Sequence, residues 1–144
     1  MSNLKKPTSP IPQGKYVPAT RSGNLIFTAG MTPRKNGILI LSGKVKSSEP
    51  IENYKEAIRQ AASNALDAAR NMLKDEEKIV GVLTLSVFIN AEENYTMHPK
   101  LADFASEFLY EEMGDAGIGS RVAIGVASLP SDAPVEIQMV LMAG

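Results

Sequence analysis

The stretch GIGSRVAIGVASLPSDAPVEIQMVLMAG, residues 117–144, decides how the chain folds. Two runs rich in β-branched residues, about 121–128 and 135–142, predict strands, and LPSDAP supplies turn residues to join them as a hairpin. In the second run a period of two puts Val135, Ile137, Met139 and Leu141 on one face and Glu136, Gln138, Val140 and Met142 on the other. A polar pair beside two hydrophobes predicts a partly covered face. Two chargeable residues, Arg121 and Glu136, therefore sit in strands otherwise built for a core.

Upstream, IVGVLTLSVFIN (79–90) is β-branched and too continuously apolar for either face to be freely wet, so it reads as a central strand. Helical spacing over 99–110 places Leu101, Phe104, Ala105, Phe108 and Leu109 on an inner face. A longer helix starts at Pro50, with Ser48 or Glu49 near its cap. Its face is Ile51, Tyr54, Ile58, Ala61, Ala62, Ala65, Leu66, Ala69, Met72 and Leu73, rich enough in alanine to approach a sheet closely. KYVPATRSGNLIFTAG predicts strands over 16–20 and 25–29, turning at Ser22-Gly23-Asn24. Asn36-Gly37 marks another turn, and ILIL (38–41) a short strand or loop.

One domain over 1–144 is expected, with 1–14, rich in proline, as an extended lead-in. The order ββ, a short β, then αβαββ predicts an α+β fold, a sheet with two helices packed on one face. No element is left to cover the other face, so self-association is expected there.

Composition excludes several chemistries. The chain has no cysteine and one histidine, His98, so thiolate chemistry and cysteine-ligated metal sites are ruled out and no metal is expected. A net charge of −1 offers no broad attraction for nucleic acid or an anionic membrane. There is no secretory h-region and no run of roughly 20 apolar residues, so a cytoplasmic protein is expected. No phosphate loop or dinucleotide fingerprint follows a strand.

The candidates each carry two readings. Arg121, after GIGS at a strand mouth, suits a planar carboxylate held by paired hydrogen bonds, or is a solvated strand end. Glu136 could act in proton transfer if partly buried, or be an exposed strand residue. Tyr16 walls a pocket or packs at an edge. Gly30 lets a ligand approach the backbone or simply turns the chain. His98 caps or decorates the second helix, or is a base without an evident partner.

SRVAIGVASLPSDAPVEIQ and GNLIFTAGMTP resemble the YjgF, or reactive intermediate deaminase (Rid), family over nearly the whole domain. The resemblance implies a chorismate-mutase-like fold and a homotrimer with its sheets around a central barrel and clefts between subunits. It implies hydrolysis of amino-acid enamines or imines to 2-keto acids and ammonia, with no cofactor. Arg121 would hold the substrate carboxylate, Glu136 would position or activate water, and Tyr16, Ala29 and Gly30 would line the cleft. Binding a small carboxylate without turnover is the alternative, and endoribonuclease or translation inhibition the third. Val17, Ala29, Val122, Ala123 and the MHPK segment replace more polar family residues, as in a divergent branch with a more apolar cleft.

Overall fold

Proline lacks a backbone donor and cannot join a ladder through its nitrogen. This moves the first strand past Pro18. In a computed structural model, which describes residues 11–144, β1 is Ala19–Ser22, three residues later than the sequence pattern suggests. It pairs antiparallel with β2 (Leu25–Thr28), and Gly23, at φ 59°, takes the left-handed position of the turn. A two-stranded ribbon follows, β3 (Arg34–Lys35) and β4 (Ile38–Leu39), joined through the left-handed Asn36-Gly37 turn. Only half of ILIL is therefore strand. Most of the lead-in expected at 1–14 lies outside the described residues.

Pro50 precedes a 3-10 turn (Ile51–Tyr54) that runs into α1 (Lys55–Arg70), and no side chain caps either start. The alanine-rich face is the buried one: Ile58, Ala61, Ala62, Ala65, Leu66 and Ala69 all lie in the core. β5 (Ile79–Asn90) crosses the sheet with two register shifts against its neighbour, near Gly81 and Thr84. The shifts explain why its buried residues are spaced by three (Ile79, Val82, Leu85) and then by two (Val87, Ile89). α2 (His98–Met113) is longer than the 99–110 pattern. Leu101, Ala102, Ala105 and Leu109 form its buried face. Phe104 and Phe108, expected inside, are only partly buried. They lie under Lys55 and Arg59 of α1, 5.8 and 5.1 Å from the ring centroids, where cation–π attraction suits the boundary between the helices.

The last two strands do not form a hairpin. β6 (Ser120–Val126) pairs parallel with β5, and β7 (Val135–Ala143) pairs antiparallel with both β5 and β2. The sheet order is β1-β2-β7-β5-β6, so residues 127–134 cross over the end of β5. Both helices cover one face, giving the expected α+β layer with a chorismate-mutase-like sheet. The other face leaves Phe27, Leu83, Val122, Ile124 and Met142 exposed.

Fully buried Asn90 holds the crossover in place. Its Nδ2 donates to Asp132 Oδ1 (3.0 Å) and Ala133 O (3.1 Å), and its Oδ1 accepts from Lys44 Nζ (2.8 Å). Lys44 Nζ also donates to Ala127 O at 2.5 Å, tying both ends of the crossover together. Ser131 and Asp132 have φ values of 56° and 57°, a region most side chains avoid, so the loop depends on these outside contacts.

At the far end of the sheet Arg21 clamps Glu77 through both carboxylate oxygens, at 2.6 and 2.8 Å. The guanidinium, with the Lys74 N–H, holds the Glu77 carboxyl down to about 2. A depressed carboxylate stabilises the fold above its ordinary pKa near 4.5 and loses that contribution as pH falls toward 2. Thermal melts should therefore show wild type above Glu77→Gln at pH 7, with the gap closing between pH 4.5 and 2. A gap that does not change with pH would refute the assignment.

Candidate functional site

Glu136 lies on the helix-free face of β7, opposite the buried Val135, Ile137 and Met139. Beside it, Met31 exchanges both backbone hydrogen bonds with Ile137, at 2.7 and 2.9 Å. That bridge brings Gly30 against the Glu136 side chain. A Cβ on Gly30 would stand 2.5 Å from Glu136 Oε2, so a glycine is needed at this approach. Ala29 is fixed by its N–H donating to Pro18 O at 2.8 Å.

An open cleft of about 700 Å³ runs along this face, lined by Tyr16, Phe27, Ala29, Gly30, Glu136 and Gln138 among others. Four of the residues singled out from sequence, Tyr16, Ala29, Gly30 and Glu136, thus meet in one place. Phe27 and Gln138 were not singled out. Their signal was period two, which puts Gln138 on the face of Glu136, while Phe27 comes from the pairing of β2 with β7. Tyr16 is half-exposed, and its hydroxyl accepts from the Gln13 N–H at 3.1 Å.

The Glu136 carboxylate makes no hydrogen bond or ion pair among the described residues. Burial raises its pKa above the ordinary carboxylate value. A raised carboxyl favours the fold while protonated, and that benefit is lost as pH rises through the folded pKa. Glu136→Gln should accordingly melt higher than wild type at pH 7, with the two converging below pH 4. Equal melting temperatures at both pH values would contradict a buried, uncompensated charge.

Arg121 stands elsewhere. Register pairs Leu85 with both Arg121 and Met139, and Phe88 with both Ile124 and Glu136. Arg121 therefore projects from the helix-covered face of β6, and Glu136 from the open face of β7. The guanidinium is held by α2: Nη1 donates to Asp103 Oδ1 (2.9 Å) and Ser106 Oγ (3.0 Å), and Nη2 to Pro99 O (3.3 Å). Of its five N–H groups, the Nε hydrogen and one on Nη2 have no partner among the described residues. β6 is an edge strand, so this corner of the molecule is accessible.

Other candidates resolve simply. Ser120 Oγ donates to Leu83 O at 2.8 Å. His98 opens α2 and meets the Tyr95 ring edge-on. Among the described residues no cluster of three or more His, Cys, Asp or Glu could hold a metal, and no helix is long and apolar enough to cross a membrane.

Comparisons with known proteins bear on the family and the fold. Protein TCP17 of Trypanosoma cruzi is 27% identical over 93% of this chain and 84% of its own. The 2-iminobutanoate/2-iminopropanoate deaminase of Dermatophagoides farinae is 23% identical over 96% of this chain and 94% of its own. The crystal structure of a protein of unknown function from Agrobacterium tumefaciens superposes with a TM-score of 0.82 at 30% identity, covering 90% of this chain and 82% of that one. The family model described as Endoribonuclease L-PSP matches residues 6–143, and the chain belongs to that family, the YjgF family.

Proposed function

We propose that this protein hydrolyses reactive enamines or imines of amino acids to 2-keto acids and ammonia. The observation that carries the reading is the Glu136 carboxylate, half-buried, unpartnered and set against Gly30 in a cleft of about 700 Å³. Such a group can accept a proton from water as the water adds to the imine carbon. The C–N bond of the adduct then breaks, and a proton passes to nitrogen as ammonia leaves. The imine is already electrophilic, so orientation and one proton carrier suffice, without cofactor or metal. The free Nε and Nη2 hydrogens of Arg121 suit the substrate carboxylate.

Arg121 and Glu136 occupy opposite faces of one sheet, so a site that uses both draws them from two copies of the chain. A homotrimer, with the β6 edge of one copy against the open cleft of the next, satisfies this and covers the exposed apolar face. The name of the mite relative supports the same chemistry. The proposed setting is the cytoplasm, which suits a chain without cysteine.

The test is ammonia release from 2-aminoacrylate generated in the assay. Acceleration over buffer is expected, and its absence on any small imino acid would defeat the proposal. The separation of Arg121 from Glu136 also favours a second reading, binding of small carboxylates without turnover. Saturable binding of 2-keto acids with no ammonia release would select it.

A further inference from the structure

Glycine inside a strand weakens it and often marks a close approach. Gly125, within β6, is such a case: a Cβ there would stand 2.6 Å from His98 Nε2. The imidazole lies against bare strand backbone, its plane set by the Tyr95 ring at 82° and 5.5 Å between centroids. His98 is partly exposed, and neither ring nitrogen has a hydrogen-bond partner among the described residues. Packing alone needs no histidine here, since an apolar ring would meet Tyr95 as well.

Arg121, Ala123 and Gly125 alternate onto one face of β6, so His98 and Arg121 mark the two ends of a strip with a small residue between them. Their strand positions are about 13 Å apart. Arg121 Nη2 reaches the carbonyl of Pro99, the residue after His98, so the guanidinium lies beside the first turn of α2 from which His98 projects. A five-carbon diacid spans about 6–7 Å, and hydrogen bonds of about 2.9 Å at each end extend its reach to about 12 Å.

We propose that His98 is a second ligand-contacting residue that selects substrates by their far end. With the α-carboxylate on Arg121, an anchor taken from the function proposed above, an imidazole N–H donates to a second carboxylate ending a four- or five-carbon imino or keto acid. The preferred class is then dicarboxylic.

The test compares 2-oxoglutarate with 2-oxopentanoate, which share a five-carbon skeleton and differ at the terminal group. Calorimetry on the full chain should find 2-oxoglutarate about 10-fold tighter. The ratio should fall to about 1 in His98→Phe and be partly kept in His98→Gln, which retains a donor. Equal affinities in wild type, or a ratio unchanged by His98→Phe, would overturn the inference. The Arg121→Ala variant separates the two claims. If 2-oxopentanoate still binds to it at wild-type strength, the anchor fails, while a His98-dependent preference for 2-oxoglutarate would still support the histidine's role. If neither acid binds wild type, the inference falls together with the reading beneath it.

Discussion

Arg121→Ala should slow ammonia release from 2-aminoacrylate by about 100-fold while leaving the fold intact. A charge-assisted hydrogen-bond pair to a carboxylate is worth about 1.5–3 kcal/mol per bond, and a misplaced substrate loses orientation as well. The fold should survive because the Asp103 partner is exposed, and pairs of this kind contribute little. Arg121→Lys should recover only part of the rate, since one ammonium cannot reproduce the guanidinium's paired geometry. Co-refolding Arg121→Ala with Glu136→Gln subunits should restore activity that neither variant has alone, because some mixed assemblies contain one unmodified pair. Rates within threefold of wild type for Arg121→Ala would remove the guanidinium from the chemistry, and failure of the mixture would refute a site shared between two copies.

Asn90→Ala should cost about 3 kcal/mol, a fall in melting temperature of about 10 °C. The side chain is fully buried and makes three hydrogen bonds, with Lys44, Asp132 and the Ala133 carbonyl. Removing it empties a fully buried position and leaves the buried Ala133 carbonyl without this partner, a penalty that exceeds the worth of an ordinary hydrogen bond. Because Asn90 pins the crossover that delivers β7, weaker ligand binding in the Glu136 cleft should accompany the loss. A drop of less than 3 °C by differential scanning calorimetry would show that the crossover holds without it.

The elements were largely legible because they obey local rules. Period two in VEIQMVLMA assigned every face of β7 correctly, and the alanine spacing found the buried side of α1. Pairing was not legible in the same way. Leu-Pro-Ser-Asp-Ala-Pro has the residues of a tight turn, yet the strands it joins are separated by β5. Which strand enters the gap depends on contacts about 50 residues apart, which no window of the sequence contains. The same non-locality put Arg121 and Glu136 on opposite faces, and it assembled Tyr16, Ala29, Gly30 and Glu136 from opposite ends of the chain. Phe104 and Phe108 do pack against the core as their spacing predicts, but an amphipathic stripe does not show that they stand at its boundary under cationic side chains.

β7 lies in the middle of the sheet although it is the last strand in sequence. Without it, β1–β2 is an isolated ribbon and β5–β6 an isolated parallel pair, and neither can persist in water unaided. Closure of the sheet is therefore one late, long-range event, of the kind that slows folding in β-rich topologies. Until that event the apolar flanks of both halves stand open together, so the interval just before closure is when this protein is most exposed to aggregation.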